Sequence, residues 1–248
     1  MKKTIFLAVF FLCFSVVSLA NQAHKPLALV WAGKGVCKEG CDTATAKMAR
    51  MAGFRVQMVT TENFSQELLD KAVIWLQPGG DAIAVSHDFG IHRIQMLRDF
   101  VARGGRYVGF CAGAFFSDTW VDDFNTVPGL GITPVVTADY SKEALGESEV
   151  ILDVNWEGRM RQLYFNTGGT FKLETRTPDV NVFAEYQTEG LEILPAAWEN
   201  TFGHGRVVVT GTHPEAPPKW REDLNKEDGD GDDYDLALEM IQKAMAPR

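Results

Sequence analysis

The sequence predicts a doubly wound α/β fold, with a mostly parallel sheet and a β-rich extension. Three observations carry this prediction. Short apolar runs alternate with segments of helical periodicity from residue 27 to residue 110, and several of these runs end at glycine. From about residue 130, strand-like segments instead follow one another through turns. Strands that alternate with helices form parallel sheets with both faces covered.

The first half of the chain contains the alternating elements. The helical segments have apolar residues at helical intervals, and glycine marks the end of two of them. The predicted strands are LALVWAG (27–33), FRVQMVT (54–60), AVIWLQPGG (72–80) and RYVGF (106–110). The predicted helices are TATAKMARMAGF (43–54), NFSQELLDKA (63–72) and HRIQMLRDFVARGG (92–105). In such a sheet, ligands bind at the carboxyl ends of the strands.

The second half predicts a β-rich extension of the same sheet. Its strand-like segments are PVVTA (134–138), EVILDV (149–154), RQLYF (161–165) and VNVFAEY (180–186). The run RVVVTG (206–211) then returns to the apolar pattern of a buried parallel strand. DLALEMIQKAM (235–245) predicts a final helix with aspartates near its start, where such side chains cap helices.

Residues 1–20 have the pattern of a secretory signal peptide: two lysines, an apolar run and the small-residue ending Ser18-Leu19-Ala20. We expect cleavage after Ala20 and one domain over residues 21–248. The alternative is a retained membrane anchor, although the run is short for a spanning helix. The predicted protein is periplasmic or secreted, without a stable membrane anchor after cleavage.

The charge of the chain bears on its partners. The sequence has 24 Lys and Arg residues against 33 Asp and Glu residues, a formal net charge of −9. The predicted cleavage removes two lysines and no acid, so the mature chain carries 22 basic residues against 33 acidic ones. This charge disfavours a nucleic-acid partner. We expect a small-molecule or peptide-like substrate and no cofactor.

Three cysteines remain after the predicted cleavage: Cys37, Cys41 and Cys111. An odd number in an exported chain leaves one thiol over, and the close spacing of Cys37 and Cys41 favours these two as a disulfide. Zinc is the alternative use of such cysteines, but the sequence offers no second cysteine pair or histidine cluster to complete four ligands. We therefore predict no metal site from the cysteines and expect Cys111 to be free.

Cys111 follows a predicted strand within GFCAG (109–113). Small residues on either side allow the tight strand-to-helix turn that exposes a nucleophile above a parallel sheet. A cysteine at the start of a helix also has its thiolate favoured by the helix dipole and by backbone N–H groups. The alternative is a buried structural cysteine, since free cysteines are commonly buried.

A nucleophile needs a base, and the base needs an orienting group. His213 follows the last apolar strand, and Glu215 comes two residues later. Because parallel strands deliver their carboxyl ends to one rim, we expect Cys111 and His213 to meet there. The alternative for His213 is a surface or core histidine without a catalytic role.

The segment LQPGGD (76–81) ends another predicted strand. Backbone N–H groups of Gly79 and Gly80, together with that of Ala112, are candidates for an oxyanion hole. A plain turn is the alternative, since Pro-Gly-Gly is a common turn sequence.

These motifs carry a family resemblance. PGG (78–80), GFCAG (109–113) and HPE (213–215), in this order, resemble the class I glutamine amidotransferase-like superfamily. More narrowly, residues 104–124 and YFNTGGTF (164–171) look like the amidotransferase-like domain at the amino end of biotin-protein ligases and its free-standing bacterial relatives. The resemblance implies a flavodoxin-like sheet with Cys111 as nucleophile, His213 as base and Glu215 as orienting acid.

The chain also departs from that superfamily. Glutaminase members usually follow the nucleophile turn with a substrate-holding glutamine, whereas this chain has Ala114, Phe115 and Phe116. Glutamine is therefore not expected as the substrate, and biotin transfer is not inferred, because the chain has no biotin-ligase catalytic region. Three hypotheses stay open: an exported cysteine hydrolase or amidase, a non-catalytic binding module, and a redox thiol protein whose reactivity toward peroxide depends on Cys111. A separate hypothesis is that Cys37 or Cys41 can pair with Cys111 and switch off its thiolate.

The acidic run EDGDGDDYD (227–235) has some spacings of a calcium loop. The position where that loop requires glycine is Asp233. We therefore predict a solvated, charged loop before the last helix, with a cation site as the alternative.

Overall fold

The computed structural model describes residues 25–140, 145, 149–172, 180–222, 224 and 227–247. The predicted signal peptide lies outside these residues. The helices are α1 (Cys41–Met51), α2 (Gln66–Lys71), α3 (Ala82–Ala102), α4 (Ala112–Ser117) and α5 (Tyr234–Met245), with a 3-10 helix at Pro218–Arg221. The strands are β1 (Leu27–Trp31), β2 (Arg55–Val59), β3 (Ala72–Gln77), β4 (Arg106–Phe110), β5 (Ala138–Asp139), β6 (Glu149–Trp156), β7 (Arg159–Asn166), β8 (Gly169–Thr170), β9 (Val180–Tyr186), β10 (Pro195–Phe202) and β11 (Gly205–Thr210).

A nine-stranded sheet organises the fold, in the order β2-β1-β3-β4-β11-β10-β9-β6-β7. The strands from β2 to β11 in this order are parallel to one another. The strands from β10 to β7 continue the sheet with antiparallel pairing. The predicted α/β fold, with a parallel sheet and a β-rich extension, is confirmed. The order places β3, β4 and β11 side by side, so the three segments that follow them meet at one rim.

Both faces of the sheet are covered, which explains the continuous apolar runs of its parallel strands. In β1, Ala28 and Val30 pack in a core cluster with buried residues of α1 and α5. Leu29 and Trp31, which alternate with them, pack in a second cluster with buried residues of α3. Successive strand residues point to opposite faces, so one short strand contributes to two cores.

The prediction for PVVTA (134–138) is wrong for most of its length. Only Ala138 enters a strand, the two-residue β5, which pairs with β8 outside the main sheet. Pro134 cannot donate a ladder hydrogen bond, and Val136 is 80% exposed. This segment lies in the wall of the large cavity described below.

The sequence patterns did not predict one strand of the main sheet or the first part of a helix. Strand β10 contains the polar run Glu199, Asn200 and Thr201, so its sequence lacks the apolar pattern that predicts a strand. In the structure it pairs with β11 on one side and with β9 on the other. Helix α3 begins at Ala82, ten residues before the predicted start at residue 92. Gly90 interrupts α3 with φ 67° and ψ 157°, and this break explains why the apolar period is regular only after it.

Within the described residues, no helix combines the length and the apolar composition that a bilayer crossing requires.

Candidate active site

Cys111 occupies a sharp turn between β4 and α4. Its backbone has φ 48° and ψ −105°, which is strained for a residue other than glycine. The Cys111 N–H donates to the carbonyl of Thr210 at 2.8 Å, which continues the pairing of β4 with β11. A Cβ on Gly109 would lie 2.7 Å from the backbone of Gly113, so the turn needs small residues on both sides of Cys111. The predicted strand-to-helix turn is therefore present.

The sulfur of Cys111 meets the segment after β7. Cys111 Sγ donates to the carbonyl oxygen of Asn166 at 3.4 Å. The following glycines let this segment approach β11 closely, because a Cβ on Gly168 would lie 1.6 Å from the carbonyl oxygen of Gly211. The motif YFNTGGTF was noted in the sequence only as a resemblance. In the structure, this motif holds the carbonyl of Asn166 against the sulfur of Cys111.

His213 follows β11, the strand beside β4. Its N–H donates to the carbonyl of Tyr164 at 3.0 Å. Its Nδ1 lies 2.9 Å from Oε1 of Glu215, and the two residues are 3% and 0% exposed. The side chain of Cys111 also acts electrostatically on the imidazole of His213. The structure thus brings together the three residues predicted as nucleophile, base and orienting acid.

The electrostatics of His213 favour its charged form. Burial by itself would lower the pKa of His213. The negative charges of Cys111 and Glu215, together with hydrogen bonds to both side chains, outweigh burial and raise the pKa to about 10. The protonated imidazole of His213 is therefore the favoured form near neutral pH.

Two aromatic side chains pack against the imidazole and were missed from the sequence. The rings of Tyr164 and Trp220 lie 5.4 and 5.9 Å from the His213 ring, both edge to face. Trp220 donates from Nε1 to the carbonyl of Glu39 at 3.2 Å, which ties the 3-10 helix to the loop before α1. Tyr164 lies in the YFNTGGTF motif, whereas no sequence pattern marked Trp220.

The predicted oxyanion-hole residues separate into two groups. The carbonyl of Gly79 accepts from the N–H of Cys37 at 3.2 Å. In a trans peptide, the carbonyl of one residue and the N–H of the next residue point in opposite directions. Because the Gly79 carbonyl points toward Cys37, the Gly80 N–H points away from Cys37. Gly80 and Ala112 line the cavity with Cys111. Gly79 instead backs the imidazole, because a Cβ there would lie 2.3 Å from Cε1 of His213.

Cys37 and Cys41 form a disulfide in the described structure, and Cys111 is a free, buried cysteine. Donor atoms of Cys41, His213 and Glu215 lie within 4.8 Å of one another, a spacing that also occurs at metal sites. Because the Cys41 sulfur is in the disulfide, it does not offer the thiolate that zinc binds. This trio therefore does not fit a metal centre in the disulfide form of the protein.

The nucleophile turn opens into a cavity of about 1180 Å³. Phe115 lines it, whereas Phe116 is buried in the core with its ring 5.1 Å from that of Phe89. Asp118, only 5% exposed, accepts from the N–H of Thr137 at 2.7 Å and fixes part of the wall. Burial raises the pKa of Asp118. Of the two phenylalanines that follow Cys111, Phe115 therefore lines the cavity and Phe116 belongs to the core.

Most residues of the acidic run before α5 are exposed, as predicted for a solvated loop, but several of its aspartates are paired with arginine. Asp228 and Asp233 pair with the buried guanidinium of Arg221, and Asp233 also pairs with Arg161 at 2.7 Å. Arg161 further pairs with Asp230 at 2.8 Å. Arginine neutralises these carboxylates, which are the groups that a calcium loop would need as ligands. The network also anchors the 3-10 helix that carries Trp220.

The sequence is similar to that of known proteins. A family model described as "Biotin-protein ligase, N terminal" matches residues 27–127 and 140–246. The biotin–protein ligase of Schizosaccharomyces pombe is 32% identical over 171 residues, which cover 62% of this chain and 27% of that protein. The chain thus matches little more than a quarter of the length of this relative.

Solved structures share the fold. The crystal structure of a glutamine amidotransferase matches with a TM-score of 0.63 at 18% identity, over 88% of this chain and 99% of that one. A glutamine amidotransferase from Thermotoga maritima matches with a TM-score of 0.54 at 13% identity, over 89% and 91% of the two chains. These structures confirm the amidotransferase-like fold that the motifs implied. With the family model matching both halves of the chain, the protein belongs to the biotin-protein ligase N-terminal domain family.

Proposed function

We propose that this protein is an exported cysteine hydrolase or amidase that acts through an acyl-thioester on Cys111. The observation that carries the proposal is that Cys111 and His213 line one cavity, while Nδ1 of His213 lies 2.9 Å from Oε1 of Glu215. A nucleophile, a base and an orienting acid in contact are the arrangement that activates a thiol. The strained backbone of Cys111 supports the proposal, since such strain concentrates at functional sites.

The proposed reaction has two halves. Cys111 Sγ, with its proton held by His213, attacks the carbonyl carbon of an ester or amide. The N–H groups of Gly80 and Ala112 bind the oxygen that becomes negative. His213 then gives its proton to the leaving alcohol or amine, and the acyl group stays on the sulfur. In the second half His213 deprotonates a water, which attacks the thioester and releases the acid and free Cys111.

The substrate proposed is a small molecule or a peptide-like chain other than glutamine. The cavity of about 1180 Å³ is large enough for either class. Phe115 adds an apolar ring to its wall beside Cys111. An amide or ester with an apolar acyl group suits this wall better than the polar side chain of glutamine.

A second candidate function is a binding module that keeps the cavity without turnover. The favouring observation is the aromatic wall, in which Phe115, Trp120, Tyr164 and Trp220 line the same cavity as Cys111. Such a site would bind an apolar or aromatic ligand whether or not the thiol is present.

A substrate panel separates the two candidates. Small esters and amides with varied acyl groups are incubated with the wild-type protein, with Cys111→Ala and with Asp235→Asn, an exposed and remote control. The hydrolase proposal expects turnover in the wild type and in Asp235→Asn, and none in Cys111→Ala. Absence of turnover across the panel, combined with ligand binding that Cys111→Ala leaves unchanged, supports the binding module instead.

Export is part of the proposal and has its own test. Its support is the pattern of residues 1–20 and the Cys37–Cys41 disulfide, because disulfides persist in oxidising compartments. The protein is expressed in a bacterial host, and the amino terminus of the product outside the cytoplasm is sequenced. We expect a chain that begins at Asn21. Recovery of only the uncleaved chain inside the cytoplasm would argue against export.

A further inference from the structure

Three cysteines of the described chain line one cavity: Cys37, Cys41 and Cys111. The first two form the disulfide, and the third is free. His213 lies near them, since it lines the same cavity as Cys111 and one of its ring nitrogens lies within 4.8 Å of the Cys41 sulfur. A candidate nucleophile and a disulfide therefore share one imidazole as neighbour.

Gly79 lies next to both the imidazole of His213 and the sulfur of Cys41. A Cβ on Gly79 would lie 2.3 Å from Cε1 of His213 and 3.3 Å from Sγ of Cys41. Any larger residue at Gly79 would push the imidazole and the sulfur apart. A carboxylate oxygen of Glu215 also lies within 4.8 Å of the Cys41 sulfur, so Cys41 borders the same buried His213–Glu215 pair.

We propose that this cavity is a thiol–disulfide exchange site, in which Cys111 attacks Cys41 and releases Cys37. The Cys111 thiolate forms a bond to Cys41 Sγ, the Cys37–Cys41 bond breaks, and its electron pair leaves on Cys37 Sγ. The step is an isomerisation and needs no external oxidant or reductant. It relies on the reactive Cys111 of the proposed function, but not on acyl chemistry. Its product is a Cys41–Cys111 disulfide that masks the nucleophile.

The structure favours Cys37 as the leaving sulfur. Its Sγ accepts a hydrogen bond from the backbone N–H of Cys41 at 3.1 Å. Cys41 is the first residue of α1, a helix of 11 residues. An N–H group at a helix amino terminus stabilises a thiolate, and a better-stabilised thiolate leaves faster. Cys37 is also half-buried in the cavity wall, whereas Cys41 is 1% exposed.

The chemical class of ligand for the released Cys37 is a low-molecular-weight disulfide. The Cys37 thiolate attacks one sulfur of this molecule, the disulfide bond of the ligand breaks, and the departing thiolate takes a proton from water. Cys37 then carries half of the ligand as a mixed disulfide, which prevents it from returning to Cys41. Such a ligand would hold the protein in the masked form, and a dithiol reductant would reverse both steps.

The test is alkylation of the unreduced protein at a low concentration of iodoacetamide, followed by peptide mapping without reduction. We expect carboxamidomethyl label at Cys37 together with a Cys41–Cys111 linked peptide. In Cys111→Ser, which keeps the size of the side chain, label at Cys37 should fall by about tenfold or more, because no internal thiolate opens the disulfide. The wild-type mapping stands by itself if the variant does not fold.

Two results would overturn the exchange. One is label confined to Cys111 with the Cys37–Cys41 disulfide intact at every time point. The other is a Cys37–Cys111 link with label at Cys41, which would reverse the assigned leaving group. Turnover of esters or amides is a separate readout, so a protein that hydrolyses substrate without exchange contradicts this inference and leaves the proposed function standing.

Discussion

Nδ1 of His213 lies 2.9 Å from Oε1 of Glu215, and both side chains are withdrawn from solvent. Only Pro214 separates the two residues in the sequence. The N–H of Ala216 donates to the carbonyl of His213 at 3.0 Å, which closes a tight turn. The carboxylate therefore fixes one ring nitrogen and leaves the other for Cys111. This pair sets the tautomer and the orientation on which the proposed chemistry depends.

Glu215→Gln is expected to lower the pKa of His213 below about 10, because it removes one of the negative charges that stabilise the imidazolium. The measurement is an NMR titration of the His213 ring carbon and proton. Glu39→Gln serves as the control, since Glu39 lines the same cavity while its backbone carbonyl makes the contact with Trp220. An unchanged His213 titration in Glu215→Gln would show that the carboxylate does not govern the charge of the imidazole.

His213 should also make stability depend on pH. Its pKa in the folded chain is raised from 6.5 to about 10. The imidazolium therefore contributes stability in full below about pH 6.5, and this contribution is lost as the pH rises through about 10. Urea unfolding of the wild type and of His213→Gln is compared across this window. We expect the difference between them to shrink as the pH rises, and a constant or growing difference contradicts the assignment.

Gly79→Ala is expected to reduce the reactivity of Cys111 toward iodoacetamide, because the added methyl group displaces the imidazole. Gly53→Ala is the matched control. Its Cβ would meet no atom within 4 Å, but its φ of 93° costs about 1 kcal/mol of backbone strain. The control should therefore lose stability and keep Cys111 reactivity. Equal reactivity in Gly79→Ala and Gly53→Ala would mean that the imidazole position does not matter.

Asp233→Asn is expected to destabilise the fold by about 3–5 kcal/mol, because it leaves buried arginine charge without its partner. The Asp233 side chain is 0% exposed and pairs with both Arg161 and Arg221. Asp235 also pairs with Arg161, but its side chain is 57% exposed, so Asp235→Asn should cost less than about 1 kcal/mol. Urea unfolding measures both. Similar losses for the two variants would contradict the buried role of Asp233.

Sequence patterns predicted the parts of this protein whose residues follow local rules. The parallel strands are apolar on both faces, and the residues after β3, β4 and β11 could be assigned to one rim from strand alternation alone. The turn at Cys111 was predictable because Gly109 and Gly113 are small where the backbone must pack closely. His213 and Glu215 were predictable because they follow a strand within three residues of one another.

Other features depend on contacts between distant parts of the chain. Asn166 reaches Cys111 across 55 residues through a backbone carbonyl, which any residue type would offer. Trp220 joins the site because Arg221, next to it, is held by aspartates near α5. The acidic run was predicted as a solvated loop because its arginine partners lie elsewhere in the sequence. Gly79 was assigned with Gly80, although only the structure distinguishes them: Gly80 lines the cavity, whereas Gly79 packs against the imidazole of His213.

The role of Cys111 as nucleophile is tested most directly by peptide mapping of the protein after brief exposure to an activated acyl ester. We expect an acyl group on Cys111 that disappears with time in the wild type. In His213→Asn the adduct should form more slowly and persist, because no base activates the water for its release. Cys111→Ser should carry no adduct at this position. Acylation spread over surface lysines, with Cys111 unmodified in the wild type, would contradict the claim that Cys111 is the nucleophile.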